Sequence, residues 1–209
     1  MKVLPFGDRA LLAEFESLDE AMGAFRALEA ARAPGVIELV PAARTVLVRI
    51  DPGRMSLTAA RNWLESTRLD TKASATGAIV TIPVRYDGPD LASTAEILGL
   101  STDELVSRHS GTAWRCAFIG FAPGFAYLVD AESTGGRAGL DVPRRATSRE
   151  AVPAGAVGLA GEFTGIYPRS SPGGWQLIAT TEVTLFDPDR EHPALIAPGT
   201  TVRFEVVEP

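Results

Sequence analysis

The chain has 209 residues, 45% hydrophobic and 22% charged, with a net charge of -6 and a pI near 5.0. That apolar share builds a real core (a chain of this size hides roughly 70% of its unfolded surface) and excludes a disordered polypeptide. An acidic balance with two lysines only, Lys2 and Lys72, excludes nucleic acid as the main partner, since phosphate neutralisation needs clustered Lys and Arg. The single cysteine, Cys116, permits no internal disulfide and suits a reducing cytosol. Met1–Phe15 lacks signal-peptide form, and no run approaches the roughly 18 apolar residues of a membrane helix. The expected location is the cytoplasm.

Lys2–Pro5 and Leu11–Phe15 are short apolar runs around the turn Gly7-Asp8. Ser17 with Glu20 forms a capping box, and Leu18, Ala21, Met22, Phe25 and Leu28 follow at helical spacing until Pro34-Gly35. Val36–Val40 and Thr45–Ile50 are predicted strands. Ser56 caps a second helix to about Leu69 that buries Leu57, Ala60 and Leu64. The order β-β-α-β-β-α defines a small α+β sandwich, two helices on one face of a sheet, over residues 1–74.

The small, polar stretch 71–77 is the expected linker, and the texture then changes for residues 75–209. Ala78–Val84 is a predicted strand, at a sheet edge because of Pro83. Asp90–Leu98 and Ser101–His109 are two short helices, the second opened by a Ser101/Glu104 capping box, with Gly99 and Gly111 marking the ends. Beyond Trp114 only short strands between Gly/Pro turns remain: Trp114–Ile119, Phe125–Val129, Ala156–Ala160, Trp175–Thr180, Val183–Phe186 and Thr201–Val207. Many short strands with such turns indicate a closed or nearly closed β-barrel.

The sequence contains no G-x-x-x-x-G-K-[ST], G-x-G-x-x-G, H-E-x-x-H or G-x-S-x-G. Two histidines and one cysteine offer no metal-ligand spacing, so no metal site is expected. An independent ATPase, dehydrogenase, zinc hydrolase or serine hydrolase is excluded on these grounds. The unusual segments are Gly120-Phe121-Ala122-Pro123-Gly124-Phe125, Val142-Pro143-Arg144-Arg145, Gly158–Gly161, Thr164-Gly165-Ile166-Tyr167-Pro168 and Ser171-Pro172-Gly173-Gly174-Trp175-Gln176. Loops so rich in Gly and Pro let a backbone approach a ligand or a second chain closely.

These blocks, with Gly7-Asp8-Arg9-Ala10 near the start and Pro198-Gly199-x-x-Val202-Arg203-Phe204 near the end, resemble the family of the 5-oxoprolinase B subunit, also called the KipI family and allophanate hydrolase subunit 1. Related sequence forms half of the carboxyltransferase region of urea carboxylase. The resemblance implies a C-terminal cyclophilin-like β-barrel after the α+β domain. It implies two partners, a carboxyltransferase-like C subunit and a LamB/YcsF-type A subunit. It also implies ATP-dependent opening of 5-oxo-L-proline to L-glutamate by the complex, with this chain inactive alone. Glu162-Phe163 departs from the family pattern, in which a polar residue, often Gln, is expected just before T-G-I-Y-P.

His109 has two readings: a helix C-cap assisted by the dipole, or a proton-transfer or substrate-bonding group, since the family's histidine falls here. Arg144 and Arg145 are either a solvated pair or a carboxylate or phosphate fork. Arg145 and His109 are the candidate catalytic residues; Arg144, Phe121, Pro123, Gly124, Phe125 and Gln176 are the candidate substrate-binding residues. Phe121, Pro123 and Phe125 are core, or else a pocket wall or partner contact. Trp175 and Gln176 point to opposite faces of their strand. Cys116 reads as a core residue and His192 as solvated. Three competing functions differ in class: a regulator inhibiting a sensor histidine kinase, a cyclophilin-type prolyl isomerase suggested by fold alone, and DNA binding through Ala95–His109, which the acidic charge opposes. Membership of an allophanate or urea-type amide hydrolase is a further alternative within the enzyme class.

Overall fold

The computed structural model describes residues 1–68, 77–132 and 139–207. All but Gly77 of the expected linker therefore lies outside the described residues. The chain divides into two compact units, Met1–Ala75 and Thr76–Pro209.

The first unit contains β1 (Lys2–Pro5), β2 (Ala10–Glu14), α1 (Leu18–Ala30), β3 (Val36–Pro41), β4 (Thr45–Ile50) and α2 (Leu57–Ser66). Its antiparallel sheet has the order β1-β2-β4-β3. Strand alternation sends Val46, Val48 and Ile50 of β4 inward. Leu11 and Ala13 of β2 lie opposite Val48 and Val46 on the same face. Helix α1 packs on β3 and β4, and α2 on β2, so both cover that face. Ser17 Oγ accepts from the Glu20 amide at 3.2 Å, while the Glu20 carboxylate accepts from the amide of Glu16, one residue earlier than a capping box requires. Helix α2 stops at Ser66, short of the expected Leu69, because Thr67 is extended and its hydroxyl donates to the Trp63 carbonyl at 2.7 Å. Leu57, expected to be buried, is only partly so, as is Phe25 of α1.

The second unit contains β5 (Ile79–Val84), α3 (Leu91–Leu98), α4 (Thr102–Gly111), β6 (Trp114–Ile119), β7 (Ala126–Asp130), β8 (Arg149–Val152), β9 (Ala156–Ala160), β10 (Phe163–Ile166), β11 (Ser171–Gly173), β12 (Gln176–Thr180) and β13 (Thr201–Val206). Ser101 and Glu104 make a reciprocal capping box on α4, and Gly99 closes α3 in the left-handed region. Seven strands run in the order β12-β9-β10-β7-β6-β13-β5, and β11 pairs with β8 in a separate ribbon. The two edges of the large sheet meet. Arg85 and Thr180 exchange backbone hydrogen bonds at 2.9 and 2.8 Å, and the Thr181 hydroxyl donates to the Pro83 carbonyl at 2.7 Å. The result is a nearly closed seven-strand barrel. Pro83 lies in the edge strand β5, where its missing N–H is tolerated.

Three strands escape a reading from sequence, and one expected strand does not form. β8, β10 and β11 sit in segments whose Gly and Pro content reads as loop. Val183–Phe186 leaves the sheet after β12, and only Phe186 makes an isolated bridge, to Ala194. No helix among the described residues is long and apolar enough to cross a membrane.

The barrel sheet has two working faces. Val157, Leu159, Ile166, Ala126 and Leu128 point to the interior core. Phe125, Tyr167, Trp175 and Leu177 form a second apolar cluster, with Tyr127 and Phe163 packed against it. Glycines provide the room for these rings. A Cβ on Gly165 would stand 2.9 Å from the Ala126 carbonyl oxygen and 3.1 Å from ring carbons of both Phe125 and Trp175. We expect Gly165→Ala to cost about 1–3 kcal/mol through overpacking, measured as a lower urea midpoint at unchanged m-value. An unchanged midpoint would show that the ring layer yields freely.

Candidate functional site

The second cluster is bordered by three arginines and one buried carboxylate. Asp90, the residue before α3, is almost fully buried, yet its side chain does not cap the helix. Its backbone N–H donates to the Leu177 carbonyl (2.9 Å), and its Oδ2 accepts from the Leu177 amide (2.7 Å). Oδ1 accepts from Arg145 Nη1 at 2.8 Å and from Arg149 Nη2 at 2.7 Å. Burial alone would raise the Asp90 pKa; the hydrogen bonds from Arg149 and Leu177 and the charges of Arg149 and Arg145 outweigh it and hold the carboxyl below its usual range. The carboxylate is therefore ionised at neutral pH.

The Val142–Arg145 segment is pinned at each end. Val142 and Gly161 form a bridge, the Arg145 amide donates to the Gly174 carbonyl at 2.8 Å, and Gln176 Nε2 donates to the Pro143 carbonyl at 3.1 Å. Gln176 lies opposite Leu159 of the interior face, whereas Trp175 belongs to the second cluster, so the two do diverge. Arg144 is exposed. Burial pushes the Tyr127 and Tyr167 phenols up, partly opposed by the Arg144 charge, and Arg149 acts in the same sense on Tyr167.

The Gly120–Phe125 loop joins β6 to β7 as a tight turn, with the Phe125 amide donating to the Ala122 carbonyl at 2.9 Å. Phe121 has φ +67°, the one described non-glycine residue at positive φ, and its ring is 60% exposed. A bulky side chain in this region stores strain. The ring touches Phe125 edge-on at a centroid distance of 5.3 Å and Tyr167 at 6.3 Å. Phe125 is buried, Pro123 exposed, and Gly124 sits at φ +82° with Phe186 Cβ 2.7 Å from any added Cβ.

His109 belongs to the other face. It lies fully buried in the barrel interior, stacked on Phe204 at 4.5 Å. Nδ1 is 2.7 Å from the Tyr86 hydroxyl and Nε2 is 2.8 Å from Thr164 Oγ1, whose own proton points to the Gly158 carbonyl. That network fixes the tautomer: Nε2–H donates to Thr164 and Nδ1 accepts from Tyr86. Burial pushes the imidazole down to about 3. A neutral ring gains nothing from the helix dipole, which removes the charged C-cap reading. The structure brings Arg144, Arg145, Phe121, Pro123, Gly124 and Phe125 around the second cluster and separates His109 from them.

Cys116 is a core residue, its thiol pushed up to about 12 by burial, and His192 is exposed. No group of His, Cys, Asp and Glu able to hold a metal exists among the described residues. Sequence reasoning missed Asp90 and Arg149. Asp90 reads as an ordinary helix-starting aspartate, and its pairing across 55 and 59 residues is a product of the fold. The spacing of Arg144, Arg145 and Arg149 is the one signal that was visible. A polar cavity of about 440 Å³, lined by Gly111, Thr112, Asp130, Glu132 and Arg203 among others, shares no residue with the arginine cluster.

Residues 1–196 match the family model described as carboxyltransferase domain, subdomain C and D. The 5-oxoprolinase B subunit of Escherichia coli O157:H7 is 41% identical over 179 residues, covering 82% of this chain and 78% of that one. The protein of the same name from Bacillus subtilis (strain 168) is 42% identical over 129 residues, covering 60% of this chain and 52% of that one. The Kluyveromyces lactis urea amidolyase structure superposes at a TM-score of 0.79 with 18% identity, over 98% of this chain and 15% of that one, a likeness of fold. The chain belongs to the 5-oxoprolinase B-subunit family of carboxyltransferase-domain proteins. It spans only about half of its Bacillus subtilis relative.

His109 is neutral when folded and has an ordinary pKa near 6.5 when unfolded, so its burial contributes nothing adverse above pH 6.5 and costs stability as pH falls from there toward about 3. Between pH 6 and 5 the native chain should lose about 1 kcal/mol more stability than His109→Gln, measured by chemical denaturation at each pH. Equal losses would contradict the neutral, buried assignment. Phe121→Gly should leave stability within about 0.5 kcal/mol, since lost ring contact is offset by relieved strain. Phe125→Ala should cost about 3–5 kcal/mol. A loss at Phe121 as large as that at Phe125 would mark it as ordinary core.

Proposed function

We propose that this chain is the B subunit of an ATP-dependent 5-oxoprolinase, cytoplasmic and inactive without its partners, which converts 5-oxo-L-proline to L-glutamate. The observation that carries the reading is the 41% identity over 82% of the chain to the Escherichia coli O157:H7 protein of that name. A carboxyltransferase-like C subunit and a LamB/YcsF-type A subunit complete the complex. The barrel is read as cyclophilin-like on the strength of the sequence resemblance.

The reaction breaks the lactam C–N bond with water, and the stable ring carbonyl is activated at the expense of ATP. No phosphate-binding loop motif exists in the sequence, so the reading assigns nucleotide binding to the partner chains. This chain's contribution is electrostatic. Arg145, oriented by Asp90, supplies positive charge where the substrate binds, and Arg144 adds an exposed cation beside it. Phe121 and Pro123 form the accessible wall of the site. Gly124, Phe125 and Gln176 act by holding the loops that carry these groups. His109 acts through the barrel core.

Co-expression with the partner subunits, followed by an assay of ATP-dependent glutamate release, tests the reading. The complex should release glutamate and the purified single chain should not. Arg145→Ala should lower turnover of the complex about 100-fold, roughly 2.7 kcal/mol of transition-state stabilisation, with His109→Gln near native. Turnover by the single chain would overturn its dependence on partners. An assembled complex inert toward 5-oxoproline would overturn the substrate.

A further inference from the structure

The arginine cluster is charged beyond what its structural role requires. Arg145 and Arg149 both pair with one oxygen of Asp90, and the other oxygen is occupied by the Leu177 amide. Neither guanidinium therefore has a carboxylate to itself, and neither makes the bidentate pair its fork favours. Arg144, next in the chain, forms no ion pair among the described residues. Arg145 Nε and Arg149 Nη1 are enclosed without any acceptor among the described residues. The arginine side chains nevertheless remain 36% and 23% exposed, so the cluster opens to solvent. Two guanidinia on one carboxylate leave a single positive charge and unused donors.

We propose that Arg149 and Arg145 together recognise the carboxylate of a small cyclic amide substrate, and that Asp90 is the positioning residue that holds them side by side. This rests on the 5-oxoprolinase reading and extends it to the part of the substrate that does not react. Asp90 is suited to the task because its backbone and its carboxylate are both locked to Leu177, so two flexible side chains are held by one fixed point. Tyr167 connects this cluster to the loop. Its ring contacts Phe121, and its phenol feels the charges of Arg144 and Arg149. A flat lactam ring against the exposed Phe121, which Tyr167 supports from beneath, then carries its carboxylate toward the arginines. The net single charge fits a monoanion; a polyphosphate would meet Asp90 at the N-terminus of α3, where its carboxylate already stands. A partner protein's acidic side chain would meet the projecting Arg144 and Phe121 before the recessed pair.

The test compares 5-oxo-L-proline with 2-pyrrolidinone, the same ring without the carboxylate, by calorimetric titration of the assembled complex without ATP. The native complex should bind 5-oxoproline at least about tenfold more tightly, a difference of roughly 1.4 kcal/mol. Arg149→Lys retains one contact with Asp90 but lacks the second donor, and should bring the two ligands to within about twofold by weakening 5-oxoproline alone. Arg145→Lys is read the same way and carries the test should Arg149→Lys fail to fold, as judged by thermal melting. The inference is overturned if both folded variants keep the native preference, or if the native complex shows none. It is also overturned if inorganic phosphate displaces 5-oxoproline at equal concentration, or if the folded variants no longer co-purify with the C subunit. A carboxylate preference without ATP-dependent glutamate release would leave this site standing while removing the 5-oxoprolinase reading. Glutamate release with a preference indifferent to both arginines would do the reverse.

Discussion

The seam that closes the barrel along β12 is the constraint on which the site depends. Residues 85–90 run beside that strand and bond to it in sequence: Arg85 with Thr180, Gly88 with Ile178, Asp90 with Leu177. Gly88 is required for this approach, since a Cβ there would stand 2.4 Å from the Leu177 carbonyl oxygen. The last rung of the seam is the Asp90 carboxylate on the Leu177 amide, and the same carboxylate receives both arginines. Barrel closure and site orientation are thus one interaction. Removing either arginine leaves Asp90 still paired; removing Asp90 leaves two guanidinia facing each other with nothing between them.

The alternating geometry of the strands divides the remaining work between two faces. On the inward face, ordinary aliphatic residues fill the barrel, and His109 and Thr164 form its polar core, satisfied by Tyr86 and the Gly158 carbonyl. On the other face, Gly158 and Gly165 lie under Trp175 and Phe125, where an added Cβ would crowd those side chains. Small residues beneath large ones let Tyr167 and Phe125 pack edge-on at 5.3 Å while Phe121 stays exposed above them. The Gly-rich motifs therefore act largely as sockets for aromatic rings in a sheet.

That distinction explains what the sequence conveyed and what it did not. Ser101/Glu104 and the Gly99 terminator are local signals, and the two helices follow them closely. Trp114–Ile119 and Ala156–Ala160 are apolar runs bounded by turns, and form strands with those bounds. β10 was hidden because Gly165 reads as a breaker; its glycine is demanded by Phe125 and Trp175, which come from elsewhere in the chain. Val183–Phe186 has strand composition but no neighbour left to pair with once β12 has met β5 across Arg85 and Thr180. In the candidate site the Phe121 loop and the Arg144–Arg145 pair were legible from their composition. Asp90 was not, because an aspartate before a helix normally caps it, and only tertiary structure turns this one toward arginines. His109 was legible as unusual but not as neutral, since a side chain's burial depends on the whole barrel.

The ionisation states inside the second unit bear on how chemistry is shared within a complex. Burial drives His109 down to about 3, Cys116 up to about 12, and the phenols of Tyr86, Tyr127 and Tyr167 upward. Each of these groups is held in its uncharged form at neutral pH, too far from 7 to exchange protons efficiently. Asp90 is shifted the other way and stays charged because two arginines and an amide bind its ionised form. These buried groups stay uncharged while, on the proposed reading, the guanidinium cluster held by Asp90 serves binding and charge stabilisation. On the proposed reading, proton transfer and nucleotide chemistry then fall to the partner chains, and the strain held at Phe121 keeps an aromatic surface where those chains and the substrate meet.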